Sequence, residues 1–276
     1  MRFNYIKDIG KFLIVDSSLG EESTIDFIIK NKIENLSFNQ YDGFLEGSLY
    51  SFSKIKTVKR IEVIKDKITP SEIIGFENLT YLYLSTPVTG KIDFISFKSL
   101  EYLNIEWNNK VQNFENLTFL KELVLRKYNG KPEGLAELKK LESLSIIQGK
   151  IDSLFFVKSL KNLRMLQLSY LKNLTQIEPL SNTGLIELEI DSCKKINYLD
   201  TLSELKQVKK LIISNSSPIP NLNFIKYLKR LEYFSFVGTT IEDGDLTLCA
   251  KLKYVGFDDK RHYNYRNREG RAILRK

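Results

Sequence analysis

Apolar residues recur along this chain in a six-residue figure, apolar-x-x-apolar-x-apolar, which returns every 20 to 25 residues. It reads Leu79/Leu82/Leu84, Leu100/Leu103/Ile105, Leu120/Leu123/Leu125, Leu141/Leu144/Ile146 and Leu163/Leu166/Leu168. It continues as Leu185/Leu188/Ile190, Val208/Leu211/Ile213, Leu231/Phe234/Phe236 and Leu252/Val255/Phe257. Two looser copies stand upstream, Ile33/Leu36/Phe38 and Val58/Ile61/Val63. Eleven copies at so narrow a period indicate a repeat architecture. Within each copy the last two apolar positions alternate with other residues, as in a strand with one buried face. Between copies the apolar spacing becomes three, as in Ile196, Leu199, Leu202, Leu205 and Val208, or Ile219, Leu222, Ile225, Leu228 and Leu231. That spacing fits short 3-10 or single helical turns. One such unit cannot bury its apolar edge alone, so neighbours must stack.

The segments LIELEIDSCKKINYLDTLSELKQV and LRMLQLSYLKNLTQIEPLSNTGL carry the pattern LxxLxLxxN followed by I/L-x-x-L-x-x-L. Over about residues 30–260 the chain resembles leucine-rich repeat proteins of the short bacterial type seen in internalins. The resemblance implies an α/β solenoid: a right-handed leucine-rich repeat with a parallel β-sheet on its concave face. Short helical or 3-10 turns would line the convex face. It also implies an interaction scaffold. The Asn position of the pattern is kept outright only by Asn108, with Cys193, Ser216 and Thr239 as small substitutes. Cys193 therefore reads as a buried turn residue, and Cys249 reads the same way.

The repeats occupy 33–259. Residues 1–32 read as an N-terminal cap or a degenerate first repeat. Arg2–Ile6 and Lys11–Val15 could pair as a hairpin through Gly10, or Ile9/Phe12/Ile14 could be one more copy; a helix near 23–31 follows. Residues 260–276 read as a basic C-terminal cap and tail. The second half of that segment is expected to be mobile, and removal of 264–276 to leave folding intact.

Charge follows the same division. The 276 residues carry a formal charge of +8, of which residues 260–276 supply +6. The body is thus nearly neutral, which argues against nucleic acid as the partner. The alternative is a nucleic-acid-associated protein working through Arg266, Arg268, Arg271 and Arg275 with Tyr263 and Tyr265. Two cysteines and one histidine, His262, cannot assemble a thiolate/imidazole zinc site. Asp243 and Asp245 read as a turn rather than a metal site. No phosphate loop, dinucleotide fingerprint or nucleophile elbow is present, so neither catalysis nor a cofactor is expected. No apolar run approaches 18 residues, so no membrane partner is expected. Sparse cysteine and no export signal point to a cytoplasm, and a Lys/Ile/Asn-rich composition to a bacterium.

Candidate function lies on the concave face, at the second, fourth and sixth positions after each first apolar residue. Tyr81, Tyr83 and Tyr102, with Trp107 just past the sixth position and Glu106 beside it, form an aromatic patch suited to protein contact. Glu187, Glu189 and Asp191 make one strand wholly acidic, which is costly unless offset, and Lys210 on the next strand could offset part. Eleven strands would present roughly 800 Å², one side of a standard protein interface. The reading is a non-enzymatic protein-binding module, in its narrower form a bacterial immunity-type protein that neutralises a toxin. Glycan binding on the Tyr/Trp patch is a further alternative.

Overall fold

The computed structural model describes residues 1–45, 47–181, 183–196 and 201–275, so Leu199 and Lys276 lie outside the described residues. The chain divides into two compact units, Met1–Arg126 and Lys127–Lys276.

The first unit opens with an antiparallel hairpin, β1 (Arg2–Ile6) and β2 (Gly10–Ile14). Its turn closes on Gly10 at φ 113°, a conformation open to glycine. Helix α1 (Glu21–Lys30) follows, with Glu21 and Glu22 at its positive N-terminal end. Then come β3 (Asn35–Asn39), β4 (Arg60–Ile64), β5 (Tyr81–Leu84), β6 (Tyr102–Glu106) and β7 (Glu122–Tyr128), whose last two residues already belong to the second unit. From β2 onward all pair in parallel. The second apolar positions stack as one row, Leu36, Ile61, Leu82, Leu103 and Leu123, each at most 1% exposed.

Both N-terminal alternatives contain part of the answer. The hairpin forms, and β2 is also the first parallel strand. The further-copy reading, however, misplaces β2 by one residue. Leu13 lies opposite Leu36, so Phe12 and Ile14 point to the other face of the sheet. A one-residue slip exchanges the faces, and Phe12, Leu13, Ile14 and Val15 are all buried. With both faces covered, the strand shows no alternation from which its register could be read.

In the second unit six strands pair in parallel: β8 (Ser143–Gly149), β9 (Met165–Ser169), β10 (Glu187–Asp191), β11 (Lys210–Ser214), β12 (Tyr233–Ser235) and β13 (Tyr254–Gly256). Leu144, Leu166, Leu188, Leu211, Phe234 and Val255 form one core row. The three-residue spacing becomes 3-10 turns, among them Phe155–Ser159, Thr201–Glu204, Asn223–Tyr227 and Thr247–Lys251.

Strand ends in this unit share a backbone feature. Lys127, Gln148, Tyr170, Ser192, Asn215 and Gly238, each seven residues after a first apolar position, all have φ between 49° and 73°. Five of the six are not glycine, so the geometry of the repeat rather than local preference sets this conformation. One residue later a side-chain ladder begins. Cys193 N–H donates to Ser216 Oγ at 3.3 Å, and Ser216 N–H donates to Thr239 Oγ1 at 3.0 Å. Ser216 and Thr239 thus do the work of the missing asparagines. In the first unit Asn108 Nδ2 donates to the Val88 carbonyl at 2.9 Å. Burial pushes the Cys193 thiol up, and that of Cys249 up to about 12.

The end expected to be mobile is paired. Residues 265–274 form a hairpin, β14 (Tyr265–Arg268) and β15 (Arg271–Leu274), turning through Glu269 and Gly270 at φ 49° and 77°. Two consecutive left-handed residues suit the twist of a two-residue hairpin turn. The hairpin caps the last strand: Val255 N–H donates to the Gly270 carbonyl at 2.7 Å, and Asn267 Nδ2 to the Phe257 carbonyl at 2.9 Å. Tyr263 is 2% exposed, and its hydroxyl accepts from Ile241 N–H at 2.9 Å. Asn264 Oδ1 accepts from Leu246 N–H at 2.8 Å. The terminal repeat must hide its core edge, and this segment hides it.

Candidate functional site

Alternation places the second, fourth and sixth positions of each strand on the face opposite the core. In the first unit the second-position row is Arg60, Tyr81, Tyr102 and Glu122. Side chains on adjacent strands are close enough for rings to pack. Tyr81 and Tyr102 stack with centroids 4.2 Å apart at 15°. Phe12 meets Tyr81 edge-on at 5.7 Å. Between these rings Tyr81 is only 6% exposed, and burial raises its hydroxyl pKa strongly. The expectation of Tyr81 as an exposed anchor is therefore corrected: it is the floor on which Tyr102 rests. Tyr102 and Tyr83 are half-buried and reach the surface. Arg60 turns away from the row, Nη1 donating to the Ile9 carbonyl at 2.9 Å.

The fourth-position row is Ser37, Glu62, Tyr83, Asn104 and Val124. Glu62 accepts from Ser37 Oγ at 2.9 Å. Burial lifts its carboxyl above the ordinary value, and the nearby Asp42 carboxylate adds to that despite the Ser37 bond. Reading the columns from Tyr81 onward missed Glu62. The fourth position of the copy Val58/Ile61/Val63 was the signal that could have found it.

In the sixth row Glu106 is in register with Arg126. The Arg126 guanidinium also donates to Asn104 Oδ1 and to the Leu84 and Ser85 carbonyls, tying three strands together. Trp107 does not join the tyrosines in a stack. Its indole packs edge-on against buried Phe114, centroids 5.3 Å apart at 84°, and the backbone N–H of Trp107 donates to the Arg126 carbonyl at 2.8 Å. It sits where the strand has ended, so alternation no longer fixes its direction.

In the second unit Glu187, Glu189 and Asp191 all lie on the non-core face, half-buried and in register with Lys210, Ile212 and Ser214. Each acid has found a different compensation. Glu187 pairs with Lys210 at 3.1 Å. Glu189 accepts from the neutral amide of Gln167 at 3.3 Å. Asp191 accepts from Asn215 Nδ2 at 2.9 Å. The expected offset by Lys210 thus reaches one acid of three. Lys210 Nζ also lies 6.0 Å from the Tyr233 ring centroid, and Tyr233 stacks on Tyr254 at 4.2 Å and 5°. The Tyr233 hydroxyl is held above its ordinary pKa by burial, by Tyr254 and by the Glu189 charge.

The other groups weighed for chemistry are occupied in structure. Asp243 and Asp245 each accept a backbone N–H two residues on, at 3.0 Å. His262 Nε2 lies 3.0 Å from the Ile241 carbonyl. Among the described residues no helix is long and apolar enough to cross a membrane.

No family model matches the sequence, and no curated protein matches it. Solved structures do match. An internalin, InlF, of Listeria monocytogenes aligns over 75% of this chain and 69% of its own, at 22% identity and TM-score 0.53. The functional domain of InlJ from the same organism aligns over 78% and 52%, at 19% identity and TM-score 0.55. A leucine-rich repeat protein of Leptospira interrogans aligns over 76% and 62%, at 20% identity and TM-score 0.50. At such identities the likeness is one of fold, and it agrees with the repeat read from the residues: this chain has the leucine-rich repeat fold in its internalin-like form.

Proposed function

We propose that this protein is a non-enzymatic binding module that holds another protein on the non-core face of its strands. The observation that supports this most is Glu62. A carboxylate held on that face against desolvation, in register with the half-buried Tyr83, has the Ser37 hydroxyl as a partner but, among the described residues, no cation to offset its burial. Tyr83 and Tyr102 supply amphipathic area in the first unit. Glu187, Glu189 and Asp191 supply negative charge in the second, which suits a basic partner surface. Two buried free thiols fit a reducing compartment. The narrower form of the reading is an immunity-type protein, its acidic row meeting a basic toxin.

The test is to recover the partner by pull-down and measure its affinity for variants of the full chain. Tyr83→Ala should weaken binding by at least about 2 kcal/mol if Tyr83 is a hot spot. Lys226→Ala, which changes an exposed residue of the Asn223–Tyr227 turn, should leave affinity unchanged. Equal affinity of both variants, each shown to be folded, would move the site off this face. Failure of the partner to kill cells lacking this protein would remove the immunity reading alone.

A further inference from the structure

The C-terminal hairpin has two unlike faces. In β14 and β15 the directly opposed pairs are Tyr265/Leu274, Arg266/Ile273, Asn267/Ala272 and Arg268/Arg271. Tyr265, Asn267, Ala272 and Leu274 therefore share the face turned to the last repeat; the first three are half-buried, and Leu274, at the open end of the hairpin, is exposed. Arg266, Arg268, Arg271 and Ile273 share the other, and all four are exposed. Arg268 and Arg271 stand directly across from each other, where like charges oppose pairing.

The acids nearby offset little of this: Asp259 accepts from Asn267 N–H and Asp258 from Gly238 N–H, both at 2.7 Å, and Glu269, the one acid of the hairpin, stands in its turn and can offset at most one of the three arginine charges. Among the described residues no salt bridge reaches the three arginines. A fourth, Arg275, has a buried Nε without a hydrogen-bond partner. The choice of cation is also particular to this segment. The chain contains ten arginines, and five lie within residues 261–275, where lysine is absent; 31 of its 32 lysines lie before that. Solubility alone would be served by either residue. A planar guanidinium differs from an ammonium in gripping phosphate with two parallel N–H donors.

We propose that this face of the hairpin is a docking surface for the phosphodiester backbone of nucleic acid, separate from the strand faces discussed above. A two-stranded ribbon has the width to lie in the major groove of a duplex. A membrane surface is the poorer match, because the arginine face carries one apolar residue, Ile273, and no apolar stripe to insert. The contacts are to backbone, so binding is independent of sequence and steeply dependent on salt.

The experiment is fluorescence anisotropy of the full-length protein with a labelled DNA duplex of roughly 20 base pairs, titrated from about 50 to 300 mM salt. Three phosphate contacts give a slope of log K against log salt of about −2.7. Arg268→Gln should reduce the slope by about 0.9, and the Arg266→Gln/Arg268→Gln/Arg271→Gln variant should abolish the salt-dependent binding. The exposed pair Lys226→Gln/Lys229→Gln should bind as the unaltered protein does. Circular dichroism melting establishes that each variant is folded, and the single variant carries the test if the triple one is not. The proposal is overturned by any of three results: no duplex binding at low salt, undiminished binding by the arginine variants, or equal loss in the lysine pair. It is also overturned if poly-glutamate or anionic vesicles bind through these arginines while the duplex does not.

Discussion

Glu62 shows what a single side chain can report. Its folded-state pKa is raised, so the folded chain holds a proton more readily than the unfolded chain. The group's contribution is fully favourable below the ordinary glutamate range and is lost as pH rises through the raised folded value. Glu62→Gln should therefore raise the melting temperature at neutral pH, and the gain should vanish at a pH below the ordinary glutamate pKa. Melting curves of both proteins across that range check the sign. Thr239 makes the opposite case. It is 1% exposed, and its hydroxyl is the acceptor for Ser216 N–H. Thr239→Val keeps the shape and leaves that donor unsatisfied, so it should destabilise by about 1–3 kcal/mol in denaturant unfolding.

At the level of elements, the strands and the N-terminal hairpin were legible and the C-terminal hairpin was not. Core-row residues such as Leu144, Leu166 and Leu188 were readable because a half-buried strand must alternate. The C-terminal hairpin escaped because Tyr265 to Leu274 alternate around arginine and asparagine instead of leucine. Its inner face is held by hydrogen bonds to Phe257 and Val255 more than by apolar area. Gly270 tests the element. A Cβ there would stand 2.4 Å from Tyr254 Cε2, on a residue at φ 77°. Gly270→Ala should unfold at lower denaturant than the unaltered chain, and deletion of 264–276 should cost more, because it also removes the Asn264 bond to Leu246. A truncated protein as stable as the full one would show that the hairpin is not a cap.

At the level of the whole molecule, charge is segregated by position in the chain. Seven basic residues and one acid crowd 260–276, while the acidic strand Glu187–Asp191 lies well before them. Charge that still reaches solvent, as the half-buried acids of that strand do, acts on encounter rates more than on residence. Glu189→Lys should slow association with a basic partner and flatten its salt dependence, with a smaller change in dissociation rate; stopped-flow mixing at two ionic strengths measures both. If dissociation changes most instead, Glu189 is a buried contact and not a steering charge.

The amino-acid sequence by itself determined the repeat, its period, the strands and the row of core leucines. These follow from side-chain alternation and from the need of each edge to be covered, which are local in the chain. It also placed Tyr83, Tyr102 and the three acids on the non-core face. Only the tertiary structure decided which of those groups reach solvent. Tyr81 is covered because Phe12, from a strand near the start of the chain, comes to rest against it. Glu189 lacks the cation that Glu187 has because parallel register sets Lys210 opposite one and Ile212 opposite the other. Burial, pairing and pKa depend on what long-range register brings within a few ångströms, and a pattern along one strand does not contain that distance.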